Sequence, residues 1–179
     1  MIARRRLVAV GCAAALSAAI LLAADVRVTP LIAGGQVFAS FTAPDTYSAD
    51  VRESVQSGLA TTLTFTVELR QSSLIWFDRT LAATTVAAAI KYDALSTSFQ
   101  VTRMADGQVL SSDRTVKEDD AKKWATEFER VKLSNSDGLE PNGEYYIRVR
   151  ARATPHRTFV LWPWGREDAA GRADFTFIR

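Results

Sequence analysis

The clearest hydrophobic pattern lies in residues 61–70, where Leu63, Phe65, Val67 and Leu69 alternate with Thr62, Thr64, Thr66, Glu68 and Arg70. A period of two puts the four apolar side chains on one face of a strand and the polar ones on the other. The alternation recurs at Val86, Ala88, Ile90 and Tyr92, at Phe99 and Val101, at Tyr145, Ile147, Val149 and Ala151, and at Ala173, Phe175 and Phe177. Further strands are expected at 26–28, 36–41, 74–78, 108–110 and 159–164. Gly34-Gly35, Asp93-Ala94-Leu95, Asp106-Gly107 and Glu140-Pro141-Asn142-Gly143 supply turns between them. Turns this short require antiparallel pairing.

Two segments follow the helical period instead. Ser48–Ser57 carries Val51 and Val55 at i, i+4, acidic Asp50 and Glu53 near its start, and Gly58 as a stop. Residues 116–131, capped by Thr115, place Ala121, Trp124, Phe128 and Val131 on one stripe, with Lys117, Asp119, Asp120, Lys122 and Lys123 around the rest. The pattern as a whole predicts a mainly β fold: an antiparallel β-sandwich of about eight or nine strands with two short helices. The alternative is one strongly curved sheet folded around the 116–131 helix.

The N-terminus differs in kind. Arg4, Arg5 and Arg6 precede an uncharged, alanine-rich run from Leu7 to Ala24, which ends in small residues just before Asp25. This is the layout of an export signal, with 1–24 cleaved and 25–179 forming a single β-rich extracytoplasmic domain. Left uncleaved, the run would anchor the chain in the inner membrane with the domain outside. Cys12 is the sole cysteine and lies inside the apolar run rather than ending it, so it reads as part of that run and not as a lipidation site.

Charge changes meaning once the leader is set aside. The chain has 22 Lys+Arg and 20 Asp+Glu. Without the three leader arginines the basic count falls just below the acidic one. A domain so balanced has no general attraction for nucleic acid. The same segment holds one histidine, His156, and no thiol. A His-based ligand set has no second member there, and a serine nucleophile has only His156 as a conventional base, with no Gly-x-Ser-x-Gly elbow. No metal, cofactor or catalytic residue is assigned. Asp119-Asp120 reads as a solvated helix face.

Several stretches together resemble a known family. Val26-Arg27-Val28-Thr29 follows the leader; the long amphipathic strand runs into Ile75-Trp76-Phe77-Asp78; Tyr92-Asp93-Ala94-Leu95 turns into the next strand; and Leu139-Glu140-Pro141-Asn142-Gly143-Glu144-Tyr145-Tyr146 leads into Arg148-Val149-Arg150. Their order and spacing resemble the exported bacterial family called domain of unknown function 4390, over nearly all of residues 25–179. The resemblance implies an envelope location and one domain. It implies no activity and carries over no catalytic residue.

Three features are candidates for binding. Trp76, Phe77, Asp78 and Arg79 set two aromatics beside an acid and a base at a strand end. Arg148, Arg150 and Arg152 share one strand face and, with Arg70 and Lys91, would form a basic stripe suited to an acidic partner or lipid phosphates; the plainer reading pairs them across strands, for example with Glu68. Phe159, Trp162 and Trp164, around Pro163 and Gly165, are hard to bury together and would suit an interface. The expected function is therefore a non-enzymatic periplasmic or envelope binding or adaptor module, with a protein partner and a membrane surface as the contacts it would make. A small apolar-ligand or lipid carrier is the alternative, favoured by a cavity lined by Phe65, Phe99, Trp124 and Phe128 and disfavoured by their close packing. A carboxylate-dependent hydrolase ranks behind both.

Overall fold

The structure is a computed structural model that describes residues 26–73, 77–155 and 169–178. Residues 1–25, Trp76, His156 and the whole of the Phe159–Trp164 segment lie outside the described residues.

The described chain forms nine strands and two α-helices. In order these are β1 (Arg27–Ala33), β2 (Gln36–Thr42), α1 (Ala49–Gln56), β3 (Thr61–Gln71), β4 (Arg79–Asp93), β5 (Ser98–Ala105), β6 (Gln108–Thr115), α2 (Glu118–Thr126), β7 (Glu127–Asn135), β8 (Glu144–Pro155) and β9 (Ala169–Thr176). Every pairing is antiparallel, in a small sheet β1-β2-β7 and a large sheet β6-β5-β4-β3-β8-β9. The sandwich class predicted from periodicity is the observed one.

The alternation in β3 has the expected consequence. Leu63, Phe65, Val67 and Leu69 are fully buried, as are Ala88, Ile90, Val101, Ile147, Val149 and Ala151 on neighbouring strands. The inner face of the small sheet supplies Val37, Ala39, Phe41, Phe128 and Val131. Phe41, Phe65 and Phe128 meet across the sandwich with ring centroids 5.1–5.3 Å apart. Burial of these large apolar groups is the main favourable term in folding.

Helix α1 begins where expected. The Ser48 hydroxyl accepts the Val51 N–H at 3.4 Å as an N-cap, and Val51 and Val55 pack inward. The second helix corrects the sequence reading. It ends at Thr126, and residues 127–135 are strand β7 rather than a helical continuation to 131. Phe128 and Val131 are nevertheless both buried. On a regular strand, residues three apart face opposite sides. Here Phe41 pairs Phe128 while Ala39 pairs Val131, so β7 carries one extra residue, and Arg130 takes φ 52°. That β-bulge turns both side chains inward and imitates helical spacing. The curved sheet around a 116–131 helix is thereby replaced by a two-layer sandwich.

Strands β4 and β6 are longer than predicted, starting at Arg79 and running on to Thr115. The β5–β6 turn is a type I′ hairpin, with Asp106 at φ 47° and Gly107 at φ 81°. The first strand, expected at 26–28, runs on to Ala33, and Pro30 sits within it because β1 is an edge strand of its sheet, where the missing N–H is tolerated. The two sides of the sandwich differ. On one, β1 lies against β9 so tightly that a Cβ on Gly171 would fall 2.1 Å from the Val26 carbonyl oxygen. On the other, the edge strands β6 and β7 leave an opening. No helix among the described residues is long and apolar enough to cross a membrane.

Candidate functional site

The opening between β6 and β7 is a cleft of about 650 Å³. Its apolar walls include Val86 from β4, Leu110 from β6, and Phe128, Val131 and Leu133 from β7. On its far side the sheets are tied by a hydrogen bond from the Thr84 hydroxyl to the Lys132 carbonyl at 3.2 Å. The volume falls within the range of about 300–1,000 Å³ usual for small-molecule sites.

The one guanidinium on its inner wall belongs to Arg103. Phe99, Val101 and Arg103 share a face of β5, so the strand that buries Phe99 and Val101 also carries Arg103 inward. The guanidinium carbon stands 4.7 Å from the Phe128 ring centroid, a cation–π arrangement. Its Nη2 donates to the Glu127 carbonyl oxygen, while its Nε–H is buried with no partner. Burial lowers the pKa of the guanidinium, and the fields of Asp113, Glu129 and Glu127 offset part of that effect. None of these carboxylates forms an ion pair with it among the described residues. Arg130 stands over Phe38, its guanidinium carbon 5.2 Å from the ring centroid. Phe38 alternates with the buried Val37 and Ala39, so this second guanidinium belongs to the outer side of the small sheet. Lys132 also lines the cleft, but it pairs Phe38 in the β2–β7 register and is exposed, so it belongs to that outer side too. The cleft thus joins apolar walls to one inward guanidinium.

The sequence-predicted basic stripe is a different place, the outer face of the large sheet. Glu68 lies opposite Arg148 in the β3–β8 register. It accepts from Arg148 Nη2 at 2.7 Å and from Arg150 Nη2 at 2.7 Å, with Arg70 at 3.9 Å. Burial alone would raise the Glu68 pKa; the Arg148 hydrogen bond and the Arg148 and Arg150 charges outweigh it and hold the carboxyl below its ordinary range. Arg152 continues the face, exposed to solvent. Asp78 joins the same face through Tyr146, whose hydroxyl donates to it at 2.7 Å, and Arg172 stacks over the Tyr146 ring at 3.7 Å. Phe77, beside Asp78, is almost fully exposed.

The structure therefore brings Asp78, Arg148 and Arg150 onto one face, with the cross-strand partner Glu68. Trp76, Phe159, Trp162 and Trp164 lie outside the described residues. Of the rings expected to line a cavity, Phe65 packs against Phe41 and Phe128, Phe99 lies 4.8 Å from Tyr92, and Phe128 lines the β6–β7 cleft. Sequence reasoning missed Arg103. The signal was present: a charged residue continues the apolar phase set by Phe99 and Val101.

A family model described as Domain of unknown function (DUF4390) matches residues 24–157. The match covers well over half of the 179-residue chain and stops before β9, short of the reach expected from the sequence. No curated protein and no solved structure matches.

Proposed function

The chain belongs to the DUF4390 family, and we propose that within it this protein is a non-enzymatic binding module acting outside the cytoplasm, with the cleft between β6 and β7 as its ligand site. The observation that carries the reading is the Arg103 guanidinium, half-buried among apolar walls with an unpartnered Nε–H. A buried charge without a counter-charge is costly, and such groups gather at functional sites. The extracytoplasmic location rests on Arg4–Arg6 and the uncharged run to Ala24. An adaptor using the outer basic face is the second form of this reading. The cleft is favoured because Glu68 already occupies Arg148 and Arg150, whereas Arg103 has no carboxylate partner.

The test is mass spectrometry of an organic extract of the full chain, purified without detergent from its own cells. Wild type is compared with Ala105→Trp, which fills the cleft from β5. A compound recovered near one per chain from wild type and lost from the folded variant supports the reading. Equal recovery from both, or none from either, contradicts it.

A further inference from the structure

Resting on the reading of the cleft as a ligand site, we infer that its occupant is a single-chain amphiphile bearing one carboxylate, with the carboxylate on Arg103 and the chain along Phe128, Val131 and Leu133. Three features of the cleft select this chemistry.

The first is the number of charges. Arg130 and Lys132 also line the cleft, but Arg130 stands over Phe38 and the exposed Lys132 pairs Phe38 in the β2–β7 register, both on the outer side of the small sheet; Arg103 is the cation turned to the inner wall, and one monoanion balances it. A dianionic phosphate would leave a negative charge uncompensated beside apolar walls and near Glu129 and Asp106, both of which line the same cleft. The second is shape. A guanidinium is a planar fork that meets a carboxylate with two parallel N–H···O bonds. Only its Nη2 has a protein acceptor, so donors remain for a ligand. The third is the run of apolar surface leading away from that fork. Val86 and Phe128 lie deep, and Leu110, about two-thirds exposed, stands at the lip. A hydrocarbon chain there removes exposed apolar area from water on both partners. A peptide carboxylate shares the headgroup chemistry, but the cleft's polar side chains besides its charges are Thr84 and Ser111, and the Thr84 hydroxyl is already bound to Lys132. The walls favour a hydrocarbon over a backbone that brings an amide at every residue.

The experiment is isothermal titration calorimetry of the full chain with three probes below their micelle concentrations: dodecanoate, neutral decyl maltoside and cationic dodecyltrimethylammonium. Wild type, Arg103→Met, Arg103→Lys and Ala105→Trp are compared after each is shown to fold. Dodecanoate is expected to bind wild type at one site, at least ~10-fold more weakly in Arg103→Met, a step of about 1.4 kcal/mol. Arg103→Lys, keeping the charge without the fork, is expected to fall between, and it serves as the probe of Arg103 if the Met variant does not fold. The cationic probe is expected not to bind. Dodecanoate binding lost in Ala105→Trp but unchanged in both Arg103 variants would overturn the carboxylate assignment and leave the cleft reading intact. Binding unchanged in Ala105→Trp would overturn the cleft reading itself. No dodecanoate binding to wild type would overturn the carboxylate assignment, and the extract from Ala105→Trp would then decide the cleft reading alone.

Discussion

The Arg103 guanidinium on β5 lies over the Phe128 ring on β7, 4.7 Å from its centroid, and so joins the two sheets on the inner wall of the cleft. This relationship separates a ligand handle from a structural tie. If Arg103 is kept for a ligand, an apolar side chain of similar length should hold the sheets about as well, because a buried charge contributes little net stability. Arg103→Met is expected to change unfolding free energy by no more than about 1 kcal/mol in urea. A loss above about 3 kcal/mol would make Arg103 a structural tie instead.

Glu68 is the hub of the outer face. Replacing it by Gln removes the negative charge shared by Arg148 and Arg150, turns one of its two acceptor oxygens into an NH2 donor and leaves two like charges adjacent. The expected cost is ~2 kcal/mol, the scale of a hydrogen bond to a charged group. Its carboxyl has a folded pKa below the ordinary value, so its contribution is fully present above the unfolded carboxylate pKa. That contribution is lost as pH falls through the folded pKa. Urea midpoints at neutral and acid pH should therefore converge for wild type and Glu68→Gln. A difference that stays constant with pH would contradict the ion-pair account.

Tyr47 ties the segment before α1 to α2, its hydroxyl donating to Glu118 at 3.3 Å. Burial, then the Glu118 charge and hydrogen bond, push its pKa up to about 12 from 10.0. The folded phenol holds its proton more tightly than the unfolded one. Its contribution is complete below pH 10 and lost as pH rises toward 12. Ultraviolet titration of tyrosinate should show late-ionising components, one of which vanishes in Tyr47→Phe, with ~1 kcal/mol lost at neutral pH; Tyr146, whose pKa burial and its hydrogen bond to Asp78 also raise, remains in that variant. Ionisation of every tyrosine near pH 10 would contradict this.

At the closed side of the sandwich, Gly171 is required by space. An added methyl would meet the Val26 carbonyl oxygen at 2.1 Å, and backbone cannot yield as a side chain can. Gly171→Ala is expected to lower stability by about 1–3 kcal/mol, the scale of overpacking. Gly107→Ala tests a different constraint, the left-handed backbone of the β5–β6 turn, and a Cβ there meets nothing within 4 Å. Thermal melts of both variants separate the two causes. A Gly171→Ala melt equal to wild type would contradict the tight β1–β9 seam.

Much of the large sheet was legible because its strands obey the strict alternation of Thr61–Arg70 and Tyr145–Arg152, where one face is buried and the other is polar. The pairing of Arg148 with Glu68 was legible for the same reason, since both occupy outward positions on strands that turned out to be neighbours. Strand β7 was not, because a bulge at Arg130 gives Phe128 and Val131 the spacing of a helix. The N-terminal half of β4, with Leu81, Ala82, Ala83 and Thr84, carries no alternation to read. The cleft was illegible for a further reason. Its walls come from β4, β5, β6 and β7, and only the three-dimensional packing tells that β6 and β7 are the edges left apart. Arg103 could have been noticed as a charge in an apolar phase, but not what faces it.

The central claim, that the β6–β7 cleft holds an amphiphile, is tested most directly by photo-crosslinking. A dodecanoate carrying a diazirine near its tail is irradiated with the full chain, and labelled peptides are mapped by mass spectrometry. The account predicts label on Leu110, Val131 or Leu133, competed by unmodified dodecanoate and lost in Ala105→Trp. Label confined to the outer face around Arg148 and Arg150, or spread evenly over the surface, would contradict it.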